Sequence, residues 1–423
     1  MSRMLVYSMI LGASLYFSPR AHSNIIHVPG DYTTIQGGIN SSQNGDTVLV
    51  SHGNYYEGVI FLGHNITLSS FFLLDGDIAH IDSTVIDGNG YSSVIRFQNG
   101  EDSTAKVIGF TLRRGMAYYG GGIYCVNSSP AISFNIITEN TAYGFEVTIL
   151  GGGAYFSNSN PLINNNIFKE NMSVGSYGSY GGGAFFYNSN PVLTNNLFIN
   201  NEADRGGGIF CDGMSTLTIR NSILWENHAN VDGDELMLDD LVWPQITYCD
   251  IKDTLLPGAG NMSVYPKFRD TAGDFHLMST ACGNTDSSPL IDAGDPSIYD
   301  QVLSCAWGLG TSRSDIGAFG GNAHLVGIPD QDMSRRHLLS LFQNYPNPFN
   351  ATTSIGFSIA DASPCAITIY DITGRKVTRL FDGLAQAGDH SIIWDIGALP
   401  SGVYFARLTT GVQMRSIKMI VAK

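Results

Sequence analysis

The densest set of potential metal ligands is the run "NVDGDELMLDD", which carries Asp232, Asp234, Glu235, Asp239 and Asp240. Carboxylate oxygens are hard donors suited to calcium, although the spacing is not that of an EF-hand loop. The competing reading is a solvated acidic loop. A second set is aromatic: Tyr124, Tyr155, Phe185 and Phe210 each follow a Gly-Gly-Gly triplet at one fixed distance. Aromatic faces at regular spacing on a rigid support can stack on sugar rings while nearby Asn and Ser bond to hydroxyls. Alternatively, such rings only stabilise neighbouring strands. A third set is basic, Arg113, Arg114, Arg205 and Arg220, with no aspartate cluster clearly placed beside any of them. Arg113 and Arg114 are expected to be solvated at a strand end. The motifs HExxH and GxSxG are absent, and the ten histidines are scattered.

The elements that must carry these residues are set by a repeat. "GGGIYCVNSSPAISFNIITEN" begins at Gly120, and close variants begin at Gly151, Gly181 and Gly206. The intervals of 31, 30 and 25 residues hold short alternating runs between Gly, Asn, Ser and Pro. That pattern implies stacked coils of about three short strands, a parallel β-solenoid. Alternation places Ile123, Ala154, Ala184 and Ile209 in the interior with Cys125, Phe156, Phe186 and Cys211, and turns the aromatic set outward. Asn140, Asn171, Asn201 and Asn227 form a further column, whose amides can bond to the coils above and below. Coils lie roughly 4.8 Å apart. Cys125 and Cys211, three coils apart, should therefore be buried free thiols, because a disulfide needs Cα atoms within about 7 Å. "TAYGFEVTIL" and "MSVGSYGSY", ahead of two triplets, are expected to bulge as loops on one side, which in repeat proteins is often the binding side.

These coils resemble those of right-handed parallel β-helix, or pectin-lyase-like, proteins. "HVPGDYTTIQGGINSSQNGDTVLVSHGNYYEGVIFLGHNITLSS", from His27 to Ser70, resembles the opening segment of that superfamily, with a short helix near Thr33 to Asn40 capping the apolar end of the stack. "TVIDGNG" and "VIGFTLRRG" look like the next coils. "SPLIDAGD" and "DIGAF" resemble a closing segment of exported bacterial β-helix proteins, in which Cys282 and Cys305 are the best-placed disulfide pair. The region containing "YPNPFN", "YDITGRKV" and "LPSGVYFARL" closely resembles the C-terminal sorting domain of the type IX secretion pathway. That resemblance implies export across the outer membrane of a diderm bacterium and contact with the secretion machinery.

The expected organisation is a signal peptide over 1–23, a β-helix over 24–325, a linker over 326–341 and an Ig-like β-sandwich over 342–423. The fold class is all-β. Much of the superfamily acts on acidic polysaccharides, by lyase chemistry with a cation and a base or by hydrolysis between flanking carboxylates. The paired-aspartate and Gly-His-Gly motifs of the hydrolases are missing, and Asp87 in "IDGNG" is weak evidence by itself. The formal net charge of −15 argues against a nucleic-acid partner. No apolar run of the mature chain approaches the roughly 20 residues of a membrane helix. Cysteine spacing suits no zinc site, and no cofactor is expected beyond calcium at the acidic run. The reading that results is an exported, surface-associated solenoid that binds a polysaccharide or cell-surface partner. The alternatives are a lyase or hydrolase with a divergent site, and a rod without a small ligand.

Overall fold

A computed structural model describes residues 23–321 except 272 and 301, and 340–422 except 342, 343, 345, 346, 360–362, 387, 398 and 411–413. The expected signal peptide, apart from its last residue, and most of the expected linker lie outside the described residues. The chain forms two units, Met1–Leu325 and Val326–Lys423.

The first unit is a parallel β-solenoid. One nine-stranded sheet runs from Ile25–Val28 to Gln245–Thr247, an eight-stranded sheet from Gly53–Tyr56 to Asp250–Ile251, and a seven-stranded sheet from Val59–Ile60 to Leu236–Leu238. The Gly-Gly-Gly segments stack directly. Ile123, Ala154, Ala184 and Ile209 pair in register, as do Cys125, Phe156, Phe186 and Cys211. All eight side chains are fully buried. Phe156 stacks on Phe186 at 5.1 Å, and Phe168 on Phe198 at 4.5 Å. Each first glycine has a left-handed backbone, for example φ 69° at Gly151. The next two are excluded from carrying a side chain by the adjacent coil: a Cβ on Gly153 would lie 2.4 Å from the Gly183 carbonyl.

Three columns of side-chain hydrogen bonds hold the corners. Asn140 Nδ2 donates to Asn171 Oδ1 at 3.0 Å, Asn171 to Asn201 at 2.9 Å, and Asn201 to Asn227 at 2.8 Å. The series ends on Glu235, whose carboxylate accepts from the Asn227 amide and backbone N–H. Asn135, Asn166 and Asn196 make a second column ending on Ser222, and Ser128, Ser159, Ser189 and Ser215 a third. Buried amides without partners would cost about 1–3 kcal/mol each, so these chains are what makes polar corners tolerable.

The N-terminal end of the stack is covered by α1, Ile35–Ser41, whose Ile35 and Ile39 are fully buried. Its two glycines are poor helix formers, and its contacts compensate. Thr34 accepts from Gly37 N, and the Glu57 carboxylate accepts from Ile35 N and Gln36 N. The Gln36 side-chain amide both donates to and accepts from the backbone of Ile60, pairing the edge of the seven-stranded sheet.

Two expectations are corrected. The residues ahead of the triplets do not bulge as loops. Thr141–Gly144, Ile149–Leu150, Met172–Gly175 and Ser179–Tyr180 are strands of a fourth parallel sheet, in which both arms of the second insertion meet the single strand Glu202–Arg205. The segment containing "SPLIDAGD" and "DIGAF" does not close the open end. It lies along the flank of the solenoid, where Asn165, Asn195 and Asn221 project from left-handed corners and bond to residues 314–320 and Asp295. Phe268, Phe275, Leu290 and Ile316 pack there on Leu197, Ile223 and Trp225. The C-terminal end is covered instead by residues 255–262, where Leu256 packs on the core and Asn261 bonds to Cys249 N and Ile246 O. Cys282 and Cys305 are disulfide-bonded with Cα atoms 5.8 Å apart, and Cys125, Cys211, Cys249 and Cys365 are free and buried.

The second unit is an antiparallel sandwich. Ser340–Leu341, Thr352–Ile359 and Gly388–Asp395 form one sheet. Lys376–Ala385, Ser363–Asp371, Gly402–Thr410 and Met414–Val421 form the other. Ile355, Ile369, Trp394, Ala406 and Met419 are among its core residues.

Candidate functional site

Tyr124, Tyr155, Phe185 and Phe210 pair in register on the outer face of the seven-stranded sheet. Their rings stack on one another at centroid distances of 5.8, 5.9 and 5.4 Å, with interplanar angles of 23°, 14° and 10°. Arg96 covers the far face of Tyr124, and Tyr119 adds a further ring against Tyr155. Phe185 and Phe210 are only 3% and 7% exposed. The faces expected to meet sugar are thus occupied by neighbouring rings, because in-register parallel strands place identical side chains directly above each other. Of the four, Tyr124 and Tyr155 keep part of their surface accessible.

Beside this column lies a groove of about 370 Å³ between the seven-stranded sheet and the fourth sheet, lined by Thr148, Leu150, Tyr155, Tyr180, Phe185, Tyr187, Phe210 and Asp212. Tyr187 is 40% exposed. The Tyr180 ring meets Phe210 edge-on at 5.1 Å. The Asp212 carboxyl is raised above the usual carboxylate range, first by burial and then by Asp239 on the next coil, although the Gly213 N–H opposes this. Leu238 pairs with Cys211, which brings Asp239 onto Asp212. Ser157, Tyr187 and Asp212 occupy equivalent positions of the repeat and pair in register.

The acidic run does not converge. Asp232 ends a strand opposite Arg205, and Asp234 accepts from Ala229 N. Glu235 turns inward to end the asparagine column, where burial pushes its carboxyl up to about 8 against the pull of the Asn227 bonds. Asp239 faces Asp212, and Asp240 lies in the turn beyond. Among the described residues, no group of three or more His, Cys, Asp or Glu side chains is arranged around a common metal position. Adjacent residues of an extended chain point to opposite sides, so Glu235 turns inward while Asp234 stays outside.

Arg113 and Arg114 are not simply solvated. Arg113 Nε lies 2.9 Å and Arg114 Nη2 2.5 Å from Oδ2 of Asp87, which is fully buried. Burial would raise the Asp87 carboxyl, but bonds from Arg114, Asn89 N and Arg113 outweigh it and hold the group below its usual value. Sequence reading missed this because Asp87 and the arginines are one coil apart, in "IDGNG" and "LRRG".

A further concavity of about 260 Å³, between the flank segment and the coils, is lined by Phe134, Phe275, Trp307 and Phe319 with Asp82, Asp274 and His276. His276 Nδ1 bonds to Asp274, and its ring stacks on Phe319 at 3.7 Å.

Residues 20–238, just over half of the chain, match the family model described as the right handed beta helix region. Residues 343–422 match that of the secretion system C-terminal sorting domain. One similar solved structure is PorZ, described as an essential bacterial surface component of the type-IX secretion system of Porphyromonas gingivalis. It is 21% identical over 23% of this chain and 13% of that chain, with a TM-score of 0.15. Another is the enzymatically active domain of tailspike protein 4 from bacteriophage CBA120, 11% identical over 89% of this chain and 64% of that chain, with a TM-score of 0.17. The chain therefore spans less than two thirds of either. No curated protein matches it.

Proposed function

Since the chain belongs to the right-handed β-helix family and carries a type IX sorting domain that directs it to the cell surface or beyond, we propose that it is an exported rod that binds a glycan in the groove beside its aromatic column. The groove is the observation that carries this reading. Its lining comes from three successive coils and includes Leu150, Phe185 and Phe210, and Tyr155, Tyr180, Tyr187, Thr148 and Asp212 bring polar groups to it. That combination suits a sugar chain, with C–H faces against ring edges and hydroxyls bonded by tyrosine and carboxylate oxygens. The four aromatic residues then act as a rigid backing, and only Tyr155 among them reaches the ligand with its hydroxyl. The test is a binding screen of the full chain against neutral and acidic polysaccharides. Tyr155→Phe combined with Tyr187→Phe should weaken binding about tenfold, the loss of one to two hydrogen bonds. Equal affinity would move the site elsewhere.

One observation favours a second reading. Asp212 lines the groove with Asp239 beside it, and the proton affinity of Asp212 is raised, as a general acid requires. New reducing ends, lost in Asp212→Asn and Asp239→Asn, would make the rod a hydrolase.

A further inference from the structure

We propose that His52 and His80 form a two-imidazole site for a borderline divalent cation such as zinc, with Asp75 as the carboxylate that orients His80. His52 lies in the turn between Thr47–Val50 and Gly53–Tyr56. Asp75 and His80 belong to an excursion between coils that carries α2, Phe72–Asp75, and α3, Ala79–Ser83. Two segments far apart in sequence thus bring their ring nitrogens together.

His80 Nε2 lies 3.0 Å from Asp75 Oδ2. A carboxylate accepts there, so the proton sits on Nε2 and the lone pair of Nδ1 is left bare. That lone pair points at His52 Nε2, 2.5 Å away. Histidines that bind metal almost always tie their other ring nitrogen to a carboxylate or carbonyl, which fixes the tautomer and raises basicity. His80 is held in that way. Asp75 and Asp77 lie near His52. The two carboxylates also supply negative charge near a bound cation.

Phe71 flanks both rings, at 5.9 Å from His52 and 6.0 Å from His80, and limits their rotation. Zinc–nitrogen bonds of about 2.0–2.1 Å at a tetrahedral angle set the two nitrogens about 3.3 Å apart. The rings must therefore separate by under about 1 Å, and His52 is exposed in a turn where such a shift displaces nothing in the core. Imidazole ligands suit zinc, copper and nickel rather than calcium. Solvent completes the coordination.

The full chain should be dialysed against zinc at pH 7.5, with bound metal measured and thermal unfolding followed. Wild type should take up one zinc per chain and unfold at a higher temperature in its presence. His52→Ala and His80→Ala should each lose both effects, and Asp75→Asn should weaken binding about 10- to 100-fold. Bound Cu²⁺ should show two imidazole nitrogens by electron paramagnetic resonance. Near-ultraviolet circular dichroism of the variants checks that they remain folded. The proposal fails if wild type binds no more zinc than the His52→Ala/His80→Ala double variant, or if the copper spectrum shows oxygen ligands alone.

Discussion

Each asparagine of the inner column serves two coils at once. Asn171 Oδ1 accepts from Asn140 N and Nδ2, and Asn171 Nδ2 donates to Ile137 O and Asn201 Oδ1. Asn171→Leu keeps the branched shape but strands the Asn140 N–H and the Ile137 carbonyl in a dry interior. It should cost about 3 kcal/mol, read as a lower urea midpoint, and a loss under about 1 kcal/mol would refute the column's energetic role. The interior thiols illustrate the opposite regime. Burial pushes Cys125, Cys211 and Cys249 up to about 12, so they behave as small apolar groups. A thiol reagent at pH 8 should leave them unmodified in native protein and label them once denaturant is added; rapid native labelling would place them near solvent.

At the scale of elements, the flank segment is the part whose stability should respond to pH. Burial pushes the carboxyls of Asp300 and Asp315 up to about 7, with Asp315 adding repulsion at Asp300, despite four backbone N–H bonds. Unfolded carboxyls ionise near 4. Between those values the folded segment holds protons that the unfolded one has released, so acidification favours folding, and the gain is lost as pH rises through 7. Amides of residues 290–320 should exchange more slowly at pH 5.5 than at pH 8, after correction for intrinsic rates; the reverse order would contradict the burial. The disulfide acts on the same segment, and Cys282→Ser should destabilise it by about 3 kcal/mol from loop entropy, visible as earlier proteolysis there. The coils and their inner and outer columns were legible because the recurring Gly-Gly-Gly segments convert sequence spacing into spatial register. The second asparagine column, five residues ahead of the first in "FNI", "NNI" and "NNL", went unread although it follows the same repeat. The fourth sheet was not, because Gly- and Ser-rich insertions become strands only when a neighbouring coil offers an edge. Nor was the course of the flank segment, which depends on outward asparagines whose partners lie about 120 residues away. Of the candidate site, the outward aromatic column was legible but the closure of its ring faces was not, since stacking is a property of adjacent coils.

For the whole molecule, two units carry separate tasks. The sorting sandwich has its own core, with Trp394 and Ile355 buried against Ile369 and Tyr404. Removing residues 340–423 should leave the solenoid folded by circular dichroism yet retained inside the cell envelope, and surface delivery of the truncated chain would overturn the assignment of export to this domain. The solenoid in turn has few constraints on its length. Its asparagine series runs in one sense, donor to acceptor, toward the C-terminal end, and stops at Glu235, whose two oxygens accept the last bonds. Duplication of an interior block such as residues 151–180 would simply slot a new rung between two existing ones, about 4.8 Å further along, with both termini untouched. Reach is therefore a quantity that such a gene can adjust in steps, without redesigning either the ends or the means of export.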